Sequence, residues 1–371
     1  MQRLAVFYHP DVLTHATGSG FFEAAASPVL SIAETHPENA ERLQNMLSVL
    51  ERGPIADALD WFEAEVATRD DLERFHASAY IDELADIPLD ETRWFSGTTV
   101  FGPGSYQACV RAAGLTLAAA QSVYAGRVPV AYALVRPPGH HAQPAMADGY
   151  CFFNNIGVAI EALRAQGLTR AAVIDWDVHH GNGTQEGFYR DGDVLTVSMH
   201  MNHGAWGNTH PQTGDVDEVG EGEGCGKNLN LPMPYGSGNE AYLRAFDEIV
   251  APAVREHGPQ ILFVANGQDA NQFDPNGRQL LGMAGFHALG ARVRALADEC
   301  CDGRLVVVQE GGYQVSYAAY CLHASLEGVL GREPGLPDPL AYMREDTAGL
   351  DDFIMSLRNR FDAACRAATR G

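Results

Sequence analysis

The stretch AAVIDWDVHHGNG, residues 171–183, joins a strand-like apolar run to a cluster of chemically active side chains. Its first four residues are all apolar, as in a parallel strand that helices cover on both faces. Because side chains on a strand alternate between its two sides, extended geometry beyond Ile174 would place Asp175, Asp177 and His179 together. Converging carboxylates repel one another unless a cation lies between them. The stretch therefore predicts a metal site at the end of a buried strand.

Short apolar runs of this kind recur along the chain, with helix-like patterns between them. Such alternation requires crossover connections, which build a central parallel sheet. We therefore expect an α/β fold: a single domain, 1–371, with a central, mostly parallel β-sheet flanked by helices and long loops at the strand carboxyl ends. Within it, residues 332–371 would form a connector and a final helix. The strand-like runs are 4–9, 130–135, 171–176, 194–199, 261–266 and 305–310, and the helical patterns are 106–126, 154–167, 239–258, 284–300 and 351–368.

Polar, glycine-rich segments follow the strand-like runs, where ligands bind in open α/β sheets. These segments are RPPGHH, DVHHGNG, HMNHGAWG, GQDANQFDP and EGGYQ. Asp269, which follows the run at 261–266, is the natural third ligand beside Asp177 and His179. Carboxylate and imidazole ligands suit Zn²⁺, and three protein ligands leave a coordination position for water and a substrate oxygen, as in catalytic zinc sites. The alternative is a salt-bridged polar cap at the end of the strand.

The tandem histidines His140 and His141 also follow a strand-like run. Two imidazoles there would supply a base that activates water and an acid that protonates a leaving amine. Each needs an acceptor that fixes its tautomer, and Asp175 and Asn182 are candidates. Tyr313, after two glycines, would stabilise an oxyanion, although a GGY triplet by itself is more often structural. The sequence contains no GxSxG, HExxH or P-loop motif.

The formal net charge of −23 argues against nucleic acid as a partner, because phosphates would be repelled. It fits a cationic or neutral substrate, or a surface kept acidic for solubility. The seven cysteines form no CxxC pair, which favours reduced thiols and a cytoplasmic protein. No apolar run approaches the length of a membrane span, so we expect no membrane association.

Taken together, the motifs resemble the histone deacetylase superfamily, including the bacterial histone deacetylase-like amidohydrolases and the acetylpolyamine amidohydrolases. The resemblance extends from HPENAER at 36–42 to EGGY at 310–313, and the arginases, which share that family's fold, would show a DAHxD pattern that is absent here. It implies an arginase/deacetylase-like fold and a class II-like member. The motifs, in the family's order, are RPPGHH, GYCFFNN, DWDVHHGNGTQ, SMH, DANQFDP and EGGY.

Position by position, the resemblance implies roles for individual residues. Zinc would lie on Asp177, His179 and Asp269. His141 would be nearer to the general base, His140 would be held by Asp175, and Tyr313 would polarise the substrate carbonyl. Gly149 would accept the substrate amide N–H, and Tyr150 would form a wall of the channel. A structural K⁺ would use Asp175, Asp177, His179, Ser198 and Met199, and a second, peripheral cation the backbone around Phe188, Asp191 and Val194.

The sequence departs from the family pattern around the proposed substrate channel. Asn182 stands where some members carry Asp. His210 replaces a channel aromatic residue, Tyr150 replaces a common Phe, and Asn276 is neither the apolar residue of lysine deacetylases nor the gating Glu of polyamine-selective members. The substrate therefore stays open between acetyl-lysine in proteins or peptides and acetylpolyamines or other small N-acyl amines.

The main hypothesis is a zinc-dependent amidohydrolase that removes an acetyl or short acyl group from an amine. The rival hypothesis is a metal-holding protein that binds acylated amines without hydrolysing them. The loops at 10–35 and 200–226 would narrow the entrance, by themselves or through a neighbouring subunit, because homodimers and tetramers occur among bacterial relatives. We expect a peptide or small-molecule acylated amine as the partner.

Overall fold

The computed structural model describes residues 2–20, 29–202, 210–341 and 343–368. Parts of the loops at 10–35 and 200–226 thus lie outside the described residues. The strands are β1 (Leu4–Phe7), β2 (Ser19–Gly20), β3 (Glu34–Thr35), β4 (Leu59–Phe62), β5 (Arg93–Trp94), β6 (Val100–Phe101), β7 (Val130–Ala133), β8 (Ala171–Asp175), β9 (Val194–Met201), β10 (Asn228–Met233), β11 (Ile261–Asn266) and β12 (Leu305–Gln309).

An eight-stranded sheet organises the chain in the order β10-β9-β8-β11-β12-β7-β1-β4. Every pair of neighbours in this sheet is parallel, which confirms the expected α/β architecture. The strands β8, β11, β12 and β7 lie side by side in its middle. Since parallel strands end at the same edge, the segments that follow these four strands meet at one place.

Helices fill the connections between the strands. They are α1 (Ala40–Arg52), α2 (Arg69–Leu72), α3 (Ser78–Ala85), α4 (Ser105–Tyr124), α5 (Asn155–Arg164), α6 (Asn182–Phe188), α7 (Asn239–Ala245), α8 (Ala251–His257), α9 (Met283–Cys301), α10 (Tyr317–Val329) and α11 (Leu350–Ala368). A π-helical segment, Phe246–Val250, joins α7 to α8. Among the described residues, no helix combines the length and the apolar composition that crossing a membrane requires.

Besides helices α1, α2, α3 and α6, the sequence patterns did not predict two strands of this sheet and helix α10. Strands β4 and β10 lie at its two edges, and β10 carries asparagines at two of its six positions, so neither strand forms a continuous apolar run. Helix α10 is buried on nearly all sides, which removes the apolar–polar periodicity that marks a surface helix. Each element depends on its neighbours more than on its own sequence pattern.

The apolar core lies where the central strands pack against the helices. Strands β7, β8, β11 and β12 are buried at every position, and helices α4 and α9 pack against them. A parallel strand covered on both faces needs apolar side chains pointing in both directions. The polar residues of this region are therefore concentrated just beyond the strand ends.

Candidate metal centre and active site

Three potential metal ligands from two neighbouring strand ends converge on one point. The ligand atoms of Asp177, His179 and Asp269 lie within 4.8 Å of one another. The Nδ1 atom of His179 is 3.2 Å from Oδ1 of Asp177 and 3.1 Å from Oδ2 of Asp269. Both carboxylates are fully buried. The group is the one that the sequence analysis expected to bind zinc.

The donor set and its spacing fit a zinc ion. Zinc binds nitrogen and carboxylate oxygen at about 2.0–2.2 Å, so two ligands at the tetrahedral angle are ~3.4 Å apart. The separations of 3.1 and 3.2 Å around His179 are close to that value. Burial of two carboxylates beside each other is costly without a cation. Asp177, His179 and Asp269 would therefore hold the ion.

Backbone amides fix the orientation of both carboxylates. The N–H of Gly311 donates to Oδ2 of Asp177 at 2.8 Å, and the N–H of Val178 donates to Oδ1 of Asp269 at 2.8 Å. The remaining oxygens, Oδ1 of Asp177 and Oδ2 of Asp269, are the ones that face His179. Such hydrogen bonds to the outer oxygen of a ligand hold it in place before the ion binds.

Asp175 does not belong to this metal group. Strand β8 ends at Asp175, so the strand alternation expected beyond Ile174 does not extend to His179. The Oδ2 atom of Asp175 lies 2.8 Å from Nδ1 of His140, and its Oδ1 atom accepts from the N–H of Asp177 at 3.0 Å. Asp175 thus orients the first of the tandem histidines.

The tandem histidines lie in different electrostatic surroundings. Burial opposes protonation of His140, but the carboxylates of Asp177 and Asp175 raise its pKa well above the usual value. Burial lowers the pKa of His141 well below its usual value, and the neighbouring imidazoles lower it further. Its Nδ1 atom is 2.5 Å from Oδ1 of Asn182, a neutral acceptor. His140 is thus suited to carry a proton and His141 to stay neutral.

Tyr313 faces the same space from the segment after β12. Its ring centroid lies 6.4 Å from that of His179 and 5.6 Å from that of Tyr150. The guanidinium of Arg42 lies over its ring, 4.7 Å from the centroid, and donates to the carbonyls of Gly312 and Glu310 at 2.5 and 2.7 Å. Helix α1, which carries Arg42, therefore holds the loop that presents the phenol.

Of the residues expected to line the substrate channel, Gly149 lies against His141, and Tyr150 and Asn276 lie next to each other. The added Cβ of a residue larger than glycine at Gly149 would lie 2.2 Å from the His141 ring, so Gly149 borders the tandem histidines. The amide of Asn276 is 3.4 Å from the Tyr150 hydroxyl. His210, by contrast, turns to Asp148, with Nδ1 2.5 Å from Oδ1, and is largely buried.

Of the expected potassium ligands, Asp177 and His179 belong to the metal group, and the other three lie on the adjacent strands β8 and β9. Asp175 and Ser198 are register partners on the adjacent strands β8 and β9, and Met199 follows Ser198 on β9. A small cavity of about 10 Å³ is lined by Asp175 and Ser198 among other polar residues, which is room for about one water-sized particle. For the peripheral cation, the carbonyl of Phe188 accepts from the N–H of Asp191 at 3.0 Å, and Val194 begins strand β9.

Two residues that shape the site received no role from the sequence. The Oδ2 atom of Asp274 accepts from the backbone N–H of Tyr313 at 2.6 Å and of Gln314 at 3.2 Å. The Oε2 atom of Glu310 accepts from the backbone N–H of Gly139 at 2.7 Å and of His140 at 3.2 Å. Both residues stand inside quoted motifs, DANQFDP and EGGY, which was the available signal. Their hydrogen-bond partners, however, are distant in sequence, so the motifs by themselves do not reveal these roles.

The chain is similar to known proteins over most of its length. The model of the histone deacetylase domain matches residues 36–329. The chain is 50% identical over 360 residues to "Histone deacetylase 8" of Arabidopsis thaliana, covering 96% of each chain. It is 39% identical over 361 residues to the "Histone deacetylase-like amidohydrolase" of Pseudomonas aeruginosa, covering 95% of this chain and 93% of that one.

A solved structure shows the same fold. The crystal structure of the HDA15 HD domain superposes with a TM-score of 0.82 and 30% sequence identity, covering 100% of this chain and 99% of that one. The family match spans the strand ends that carry the metal group, the tandem histidines and Tyr313. The chain belongs to the histone deacetylase family and is a deacetylase, a hydrolase of amide bonds.

Proposed function

We propose that this deacetylase uses one zinc ion to remove an acetyl or short acyl group from acyl-lysine or a related acylated amine. One observation carries the proposal: Asp177, His179 and Asp269 present three ligand atoms within 4.8 Å of one another, next to paired histidines and a phenol. A zinc ion held there would polarise an amide carbonyl and make water more acidic.

His141 is suited to act as the general base. Its Nδ1–H donates to Asn182, so Nε2 carries no proton in this tautomer and can take one from the attacking water. Water oxygen then bonds to the acyl carbon while the Tyr313 hydroxyl donates to the carbonyl oxygen. The C–N bond breaks as an imidazolium protonates the amine nitrogen. The products are a carboxylic acid and a free amine.

His140 and Gly149 complete the arrangement. The carboxylate of Asp175, 2.8 Å from Nδ1 of His140, stabilises a positive charge on that ring. Gly149 adopts a φ of +48° and borders His141, and its carbonyl would accept the substrate amide N–H. Tyr150 and Asn276 would form part of the channel wall.

The substrate class is the finer part of the proposal. Acyl-lysine peptides and acetylpolyamines both yield cationic amines, which suit a chain of formal net charge −23. We place acyl-lysine first and small N-acyl amines second. Rates on an acetyl-lysine peptide, acetylputrescine and acetylspermidine, measured with the same preparation, decide between them. A kcat/KM at least tenfold higher for the polyamines would reverse the order.

Two further expectations rest on the family resemblance, and a third rests on composition and charge. A structural K⁺ would bind near Asp175, Ser198 and Met199, and the small cavity that Asp175 and Ser198 help to line supports this expectation. The chain would form a homodimer or tetramer. The protein would act in the cytoplasm, on acylated amines and not on nucleic acid or membranes.

The zinc proposal predicts a loss of turnover when the metal group or the base is removed. Asp177→Ala and His141→Ala should each reduce kcat by about 10²–10⁴-fold, because a ligand or a general base is lost. Dialysis against a chelator should abolish turnover, and Zn²⁺ should restore it. The exposed Asp90→Ala is the matched control and should retain wild-type turnover. Full activity after metal content falls below a tenth of the protein concentration would refute the proposal.

A further inference from the structure

Two polar residues that have no part in the proposed reaction contact each other on the Asn182 side of His141, the general base. They are Asp148, which precedes Gly149, and His210, which the sequence analysis expected to line the channel. Asp148 is 1% exposed, and the side chain of His210 is 9% exposed. A buried carboxylate at this position requires partners, and its partners lead to His141.

A continuous chain of hydrogen bonds runs from His210 to His141. The Nδ1 atom of His210 lies 2.5 Å from Oδ1 of Asp148. The other oxygen of Asp148 accepts from Nδ2 of Asn182 at 3.1 Å. The Oδ1 atom of Asn182 then lies 2.5 Å from Nδ1 of His141. Each carboxylate oxygen of Asp148 thus has its own partner.

The carboxylate decides which way the Asn182 amide points. A side-chain amide has a donor end and an acceptor end of nearly equal size, so it can rotate by 180° without a steric penalty. A carboxylate only accepts, so Asp148 requires the NH₂ group to face it. The carbonyl oxygen of Asn182 must then face His141, whose Nδ1 carries the proton. In that tautomer Nε2 carries no proton and can act as a base.

We propose that Asp148, held by His210, is a positioning residue that fixes the tautomer of His141 through the amide of Asn182. The proposal rests on the function proposed above, in which His141 acts as the base. An asparagine at 148 can donate as well as accept, so it no longer forces the NH₂ group of Asn182 to turn away from His141, and the rotated amide presents that group to His141. The imidazole then carries its proton on Nε2, and the nitrogen that faces the reaction has no free lone pair.

The first test is the isosteric variant Asp148→Asn. Loss of an outer hydrogen-bond partner typically costs about 10–100-fold in activity, and we expect a fall of that size in kcat. KM should stay within about twofold, because Asp148 does not touch the substrate. Asp90→Asn, at an exposed turn, is the matched control and should leave both constants unchanged. An unchanged kcat in Asp148→Asn would overturn the proposal.

The second test exchanges the carboxylate and the amide between positions 148 and 182. In the double variant Asp148→Asn/Asn182→Asp, the carboxylate at position 182 accepts from both the new amide and His141 Nδ1. The His141 tautomer is restored, so kcat should recover at least tenfold relative to Asp148→Asn. A merely structural role for Asp148 predicts a further loss instead. Failure to recover in a double variant whose thermal midpoint matches that of Asp148→Asn would overturn the proposal.

The third test reads the tautomer without any turnover. Nitrogen-15 NMR of histidine-labelled protein, with the His141 signal assigned from His141→Gln, should show protonated Nδ1 in the wild type and protonated Nε2 in Asp148→Asn. The same tautomer in both proteins would overturn the positioning role, even if kcat falls. A wild type without deacetylase activity, but with the expected shift, would contradict the proposed function and leave the positioning role supported.

Discussion

Gly311 allows the backbone to approach the metal group more closely than any larger residue would. A Cβ at this position would lie 2.2 Å from Oδ2 of Asp269 and 2.6 Å from Oδ2 of Asp177. Both distances are far below van der Waals contact, and the carboxylates that would have to move are already fixed by backbone amides. The first glycine of EGGY is therefore required by proximity to the ligands.

Gly311→Ala should separate the two carboxylates and lower both metal content and turnover. We expect kcat to fall by about 10–100-fold, the range seen when the support of a ligand is lost, with metal content measured by elemental analysis. Gly97→Ala, where a Cβ would meet no atom within 4 Å, should behave like the wild type. Wild-type metal content and turnover in Gly311→Ala would contradict this account of the site.

Helix α1 is joined to the end of strand β7 by a buried cluster of charges. Glu38, fully buried, lies 2.9 Å from Nη1 of Arg42 and 2.7 Å from Nε of Arg136, with His15 3.5 Å away. Burial opposes ionisation of Glu38, but the two arginines and His15 lower its pKa to about 2. Arg42 in turn holds the Tyr313 loop, so the cluster connects the fold to the site.

The cluster predicts a pH-dependent contribution to stability. A carboxyl whose pKa is lower in the folded state contributes fully above its unfolded pKa of about 4.3, and the contribution declines as pH falls towards 2. The difference in unfolding free energy between wild type and Glu38→Gln should therefore be about 0.6 kcal/mol smaller at pH 4 than at pH 7. Urea titrations at both pH values measure this difference.

His15 changes stability in the same direction. Burial lowers its pKa to about 3, so the unfolded chain binds the proton first and stability declines as pH falls from 6.5 towards 3. Because His15 is common to both proteins, its effect largely cancels in the comparison of wild type with Glu38→Gln. Glu41→Gln, at an exposed position of the same helix, is the control. A pH-independent difference for Glu38→Gln would show that Glu38 does not ionise as described.

At the scale of the whole molecule, the dominant property is the formal net charge of −23. A field of this sign raises the local concentration of cationic substrates, and salt screens it over about 10 Å at 0.1 M and about 3 Å at 1 M. If the substrates are acylated polyamines or lysines with charged neighbours, their capture should depend on ionic strength. The capture of neutral substrates should not depend on ionic strength.

The kcat/KM for acetylspermidine should therefore fall at least about threefold between 0.02 and 0.5 M NaCl, because screening weakens long-range attraction. An acetyl-lysine peptide with no other charge, assayed beside it, should change by less than about 1.5-fold, since it has little to screen. Equal salt responses of the two substrates would indicate that the acidic surface serves solubility and plays no part in substrate capture.

Local sequence was sufficient for the central part of the fold and for part of the site. The strands β7, β8, β11 and β12 are buried on both faces, so they are apolar up to the polar last residue of β8, β11 and β12 and stand out without further information. Asp177 and His179 lie two residues apart, which makes their association a local property. The edge strand β10 and helix α10 have no such signal, because their partners determine their conformation.

The sequence by itself determined which residue types stand at the ends of the central strands, because burial on both faces leaves polar side chains only beyond those ends. The tertiary structure alone decided which of them meet. Parallel register brings Asp269 and Tyr313 to the segment after β8, and Asp175 turns away from the metal group to His140. The direction of the Asn182 amide is set by Asp148, 34 residues away, because hydrogen-bond polarity depends on neighbours in space.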